Sequence, residues 1–158
     1  MDAVVLGGRD ILAVDETRAG VNFARIVSEI CNRIHVRHLL AYGDGGSWLF
    51  RHLKVNHPMR LQSFNRVETT DPVPAQMVAC IDVFGYDETE KAFQDMVRLT
   101  EAVLFANIKV TEEQPLIWWL EKFCKDFDVH TVQVTTASEF FVICYAKPRL
   151  EAVSGEKL

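Results

Sequence analysis

The chain has 158 residues, of which 49% are hydrophobic, and carries a net charge of −5 at pH 7. That length buries one core and leaves no room for a second domain of ordinary size, so residues 1–148 are expected to form a single domain followed by a loose polar tail, 149–158. Lysines and arginines are scattered rather than massed, so a phosphate backbone is repelled on average and nucleic acid is not an expected partner.

In chain order, residues 1–14 read as a short strand or arm, and Asp15 to Ile34 places Val21, Ala24, Val27, Ile30, Cys31 and Ile34 at helical spacing. Val36, Leu39 and Leu40 supply a strand that runs into a turn with Gly43, Gly45 and Gly46. Ser47 is placed to cap a helix carrying Trp48, Leu49, Phe50 and Leu53. Met59 to Phe64 is a second short strand, Asp71-Pro72-Val73-Pro74 a loop, and Met77 to Val83 a nearly continuous apolar run, as expected of a central parallel strand covered on both faces. Gly85 breaks that strand. Asp87 to Thr100 then reads as a helix and Ala102 to Ile108 as an interior strand, and Pro115 is placed in the first turn of a helix bearing Leu116, Ile117, Trp119, Leu120 and Phe123. Val129 to Thr135 and Glu139 to Tyr145 form a hairpin in outline around Thr136-Ala137-Ser138. This alternation predicts an α/β fold: a mostly parallel sheet with helices on both faces, closed by an antiparallel hairpin.

The stretch VRHLLAYGDGGSWLFRHL, residues 36–53, carries the chemistry. A strand delivered through a glycine-rich turn to a helix is how open α/β proteins grip a nucleotide-like ligand, although an ordinary strand-to-helix connection uses glycines too. Asp82 ends the mid-chain apolar strand. Two readings of it stay open, a carboxylate facing the ligand crevice or a helix-capping acid. There is no Gly-x-Ser-x-Gly elbow and no Gly-Lys-Ser/Thr phosphate loop, which removes hydrolase and nucleotide-triphosphatase readings. The histidines, His35, His38, His52, His57 and His130, show no metal-ligand spacing; His35 and His38 fall on opposite faces if the strand begins at Val36, and no metal is expected.

The layout resembles a class I S-adenosylmethionine-dependent methyltransferase. AYGDGGS at Ala41 to Ser47 is similar to that family's first cofactor motif, MVACIDVFGYD at Met77 to Asp87 to its fourth, and PLIWWLEKF with the following hairpin to its C-terminal part. Within the family, the chain most resembles small methyltransferase-like proteins of phages and prophages, over about residues 36–147. The resemblance implies a Rossmann-like fold. It also implies S-adenosylmethionine in a crevice formed by Tyr42, Gly43, Asp44, Gly45, Gly46, Ser47, Asn65 and Asp82, with Tyr86 lining the acceptor pocket. Departures fall where the chemistry would need them. Ala41 replaces the acid before the glycines, Ser47 replaces the last glycine, Phe64-Asn65 stands where the strand-two acid belongs, and Gly85-Tyr86 replaces a Glu-His pair. The fold is shortened in the middle, because Lys54 to Met77 leaves little room for a complete third strand and its helix.

Two functions follow. The first is a methyltransferase acting on a small molecule or a protein side chain. The second is a pseudoenzyme with degenerate motifs, kept as a binding module for a host protein or for itself, with Trp118 and Trp119 as candidate interface anchors. Cys31, Cys80, Cys124 and Cys144 each sit in an apolar periodic segment, which suits buried free thiols and a reducing cytoplasm. Acids at Asp2, Asp10 and Asp15, with no long apolar run, argue against a signal peptide or membrane span.

Overall fold

The computed structural model describes residues 16–43, 46–65, 71–85 and 89–148; the expected N-terminal strand or arm and the polar tail lie outside them. The elements are α1 (Glu16–Arg33), β1 (His38–Tyr42), α2 (Gly46–Arg51), β2 (Arg60–Phe64), β3 (Ala75–Phe84), α3 (Thr89–Leu99), β4 (Thr100–Lys109), α4 (Leu116–Asp126), β5 (Phe127–Thr136) and β6 (Glu139–Ala146). They build one six-stranded sheet in the order β2-β1-β3-β4-β6-β5. The first four strands of that order are mutually parallel, and β6 joins β4 and β5 antiparallel.

Strand alternation splits the apolar residues between two cores. Leu39 and Ala41 of β1, Met77 and Ala79 of β3 and Val103 and Phe105 of β4 face α1 and α2, where Phe23, Ala24, Val27, Cys31 and Leu49 meet them. Their neighbours Leu40, Tyr42, Val78, Cys80, Leu104 and Ala106 face α3 and α4, packing with Phe93, Met96, Trp119 and Phe123. Both faces of β3 and β4 are therefore dry, which is why their sequences read as continuous apolar runs.

Helix α1 stops at His35, whose left-handed φ of 55° takes the place usually given to glycine beyond a helix C-terminus; the Val36 N–H then reaches back to Cys31 O at 2.9 Å. Ser28 and Asn32 of α1 bind the backbone of Lys54 and Asn56, tying the segment after α2 to α1. Helix α2 is short. Ser47 lies inside it rather than at its cap, and Leu53 lies beyond its end while still packing on the same core. Pro115 stands at the N-cap of α4, one position before the expected first turn. Among the described residues no strand or helix intervenes between Phe64 and Ala75, and β2 is the edge strand on its side of the sheet.

The cysteines correct one expectation. Cys31, Cys80 and Cys144 are buried, but Cys124 is exposed, because α4 turns Trp119 and Phe123 inward and the next residue outward. Burial pushes the Cys31 and Cys144 thiols each up to about 12, with nearby Cys124 adding to the effect on Cys144. Cys80 is raised by burial first and by Asp82 and Asp95 next. Native chains are expected to react with a single equivalent of a thiol reagent at pH 8, at Cys124, and unfolded chains with four; more than one fast native equivalent contradicts the packing. Because the buried thiols stay protonated while the unfolded ones ionise, stability falls as pH climbs from the ordinary thiol value of 9.0 towards 12, measurable by denaturant titration at several pH values. Gly85 supplies a second test. With φ at 85°, it would carry a Cβ only 2.0 Å from the Lys109 carbonyl oxygen, so Gly85→Ala is expected to cost more than ~2 kcal/mol in unfolding free energy.

Candidate functional site

Four parallel strands end on one rim of the sheet. Tyr42 pairs with Phe64 on one side and Cys80 on the other, and Cys80 pairs with Ala106, so the next residues, Gly43, Asn65, Ile81 and Asn107, stand in a row across the carboxyl ends. The Gly43 N–H still bonds to Phe64 O at 2.8 Å. Its φ of 116° and the space around it both require glycine, since a Cβ there would lie 2.7 Å from Ile81 O and 2.9 Å from Val83 Cγ2. The glycine turn thus leaves β1 pressed against β3, immediately beside Asp82.

Beyond Cys80 the β3–β4 ladder loses register, and it resumes with Phe84 opposite Ile108, so four steps on β3 match two on β4. Asp82 occupies this bulge with φ at 59°. The reversal turns Ile81 to the α1 side and both Val83 and Phe84 to the α3 side, and leaves the Asp82 side chain exposed on the rim. Asn107 holds it there. The Asp82 N–H donates to Asn107 Oδ1 at 2.7 Å, and Asn107 Nδ2 donates to Asp82 Oδ1 at 2.7 Å. Asp82 Oδ2 has no partner among the described residues. These bonds make Asp82 a rim carboxylate fastened to the neighbouring strand, not a helix cap.

Tyr42 is buried, packs at a tilt against Phe64 with ring centres 5.3 Å apart, and donates its hydroxyl to the buried Asp95 of α3. Its side chain therefore belongs to the core, and only its backbone reaches the rim. Asn65 is half-buried beside Gly43, directly after the end of β2. Gly46 and Ser47 contribute the first turn of α2, while Asp44, Gly45 and Tyr86 lie outside the described residues. His35 stacks on His57 at 4.0 Å, whereas His38 meets Gln62 at 3.2 Å.

Trp119 is fully buried against Phe84 and Phe123 and donates its indole N–H to Gln114 O at 3.0 Å, so it cannot anchor a partner. Trp118 is half-buried. It packs edge-on against Trp119 and under the Lys122 ammonium in a groove of about 510 Å³ between α3 and α4, which no rim residue lines. Asn107 is the residue sequence reasoning passed over. Its signal was present as the one polar side chain in the apolar run AVLFANI, at the carboxyl end of a strand.

No helix among the described residues is long and apolar enough to cross a membrane. No family model matches the chain, and no curated protein matches it. Solved structures do match. An S-adenosylmethionine-dependent methyltransferase from Aquifex aeolicus is similar with a TM-score of 0.57 at 13% identity, over 84% of this chain and 94% of the other. The magnesium protoporphyrin IX methyltransferase of Synechocystis PCC 6803, with bound S-adenosylmethionine, gives 0.55 at 11% identity over 85% of each chain. An N-methyltransferase of Bradyrhizobium japonicum WM9, in complex with S-adenosylhomocysteine, gives 0.54 at 9% identity, over 87% of this chain and 91% of the other. At such identities the likeness is one of fold: six strands, mostly parallel with an antiparallel C-terminal hairpin, give this chain the Rossmann-like fold of the class I S-adenosylmethionine-dependent methyltransferases.

Proposed function

We propose that the chain binds S-adenosylmethionine, or the S-adenosylhomocysteine left after transfer, at the carboxyl rim between Gly43 and Asp82, and methylates a small molecule or a protein side chain. The observation that carries this reading is the topological switch at β1. From β1 the chain crosses through α2 on one face to β2; from β3 it crosses through α3 on the other face to β4. The two connections diverge, and a crevice opens outside the strands where they part, the place where open α/β sheets take ligands. Gly43 forms one lip of that crevice and Asp82 the other.

The residues present suit such a ligand unevenly. Asp82 offers a free carboxylate oxygen and Asn65 a carboxamide, both suited to hydroxyl or amine donors. An acid at the end of β2 would bind ribose hydroxyls through charge-assisted bonds, roughly twice as strong as those Asn65 can make. A sulfonium supplies an electrophilic methyl group, so transfer asks the protein mainly to align donor and acceptor.

Thermal shift and calorimetry test the reading. S-adenosylhomocysteine at 100 times its dissociation constant adds ~2.7 kcal/mol of native-state stability, a rise of roughly 5–10 °C in Tm for a domain of this size. Asp82→Asn keeps a residue that tolerates the left-handed conformation and removes the charge; it is expected to weaken binding about tenfold with Tm of the free protein nearly unchanged. No shift with millimolar ligand on the wild-type chain overturns the cofactor reading and favours a methyltransferase fold kept for binding a protein partner.

A further inference from the structure

We infer that Asn107 is a positioning residue for ligand binding at the rim: its buried carboxamide clamps the Asp82 backbone and carboxylate together, leaving one carboxylate oxygen for a hydrogen-bond donor of a molecule seated beside Gly43. The inference rests on the cofactor reading above and adds to it the residue that acts through Asp82.

Asn107 is 1% exposed, and the β4 residues on either side of it, Phe105, Ala106 and Ile108, are fully buried and apolar. A carboxamide in such a place costs desolvation free energy that an apolar side chain would avoid, so it has to be matched by its bonds. Both its polar atoms are committed to one residue. The oxygen accepts the Asp82 N–H, which can only donate, and this fixes the amide orientation; the nitrogen then faces Asp82 Oδ1. The partner is neutral. An arginine or lysine here would have cancelled the carboxylate, whereas the carboxamide orients it and leaves its charge available.

The backbone gives an independent indication. Asp82 stands at φ 59° inside a strand, a left-handed conformation that aspartate tolerates better than most L residues but that breaks the strand's own geometry. A glycine at this bulge would satisfy the main chain with no lock at all. The arrangement keeps instead a left-handed aspartate together with the buried amide that holds it, next to the close contact between Gly43 and Ile81. An uncommon backbone conformation fixed by a dedicated buried partner is a signature of pre-organised sites.

The experiment is a double-mutant cycle read by calorimetry with S-adenosylhomocysteine as the probe, using Asp82→Gly, Asn107→Leu and the double variant. Asp82→Gly accepts the left-handed backbone without the carboxylate, so it should fold while binding about tenfold more weakly. Asn107→Leu preserves volume and should match that loss, and the double variant should bind no more weakly than either single one, because both changes remove the same oriented carboxylate. A merely structural role would not produce this non-additivity. Asn107→Leu within twofold of wild type, or losses that multiply towards a hundredfold, would overturn the inference. Hydrogen exchange at the Asp82 amide provides a ligand-free arm: protection in the wild type that vanishes in Asn107→Leu supports the clamp, and equal exchange in both refutes it. Should the wild type bind no S-adenosylhomocysteine, the cofactor reading fails by itself, and the exchange measurement still decides the clamp.

Discussion

Strand β1 is the element on which the rest of the structure depends. It is hydrogen-bonded on both edges, to β2 and to β3, and buried on both faces, with Leu39 and Ala41 in one core and Leu40 and Tyr42 in the other. Each fully buried leucine of this kind contributes ~1.5–3 kcal/mol, and every one of its backbone groups along the shared register has a partner. The crossover that follows β1 packs α2 on one face of the sheet and the one that follows β3 packs α3 on the other, so the two connections diverge at the carboxyl rim. Gly43 stands at that rim, where its missing side chain lets β1 close against Ile81 and Val83.

Tyr42 ties this centre to α3. Its hydroxyl donates to Asp95, a carboxylate 8% exposed that also meets Arg98 at 3.3 Å and Lys91 at 3.7 Å. The two cations are largely in solvent, where such pairs contribute little. The tyrosine is the buried partner that keeps the carboxylate from standing unpaired. Helix α3 is thereby fixed over the end of β1 next to the rim, at the cost of using Tyr42 as a core residue and not as a ligand contact.

Most of the fold was legible because it follows from period. A short apolar run before the glycine turn placed β1, a second short strand gave β2, and two β-rich runs gave the hairpin. Continuous apolar runs identified β3 and β4 as two-sided interior strands, and helical spacing placed α1 within a residue at each end. The glycine turn and Asp82 were legible as a pair, and the structure brings them side by side. What period does not encode is a break in period. The bulge at residues 81–83 reverses the side-chain alternation within a segment that reads as uniform strand, so the environment of Asp82 could not be read off, and Asn107 was lost among apolar neighbours that it resembles in burial. Cys124 failed for the converse reason: an apolar helix has an outward face, and the residue after Phe123 lies on it.

The shortened middle bears on chemistry as well as on architecture. Among the described residues β2 is the edge strand on its side of the sheet, and Asn65, half-buried, directly follows it. Net contributions from neutral hydrogen bonds are ~0.5–1.5 kcal/mol, against ~1.5–3 for bonds to a charged group. Under the proposed cofactor reading, the amide at the end of β2 leaves the stronger polar contact to Asp82 on the other side of Gly43. There the buried Asn107 holds Asp82 Oδ1 and leaves Oδ2 free among the described residues. In that reading the discriminating contact falls on β3 and β4, the two strands buried on both faces, where a side chain is held by packing on either side.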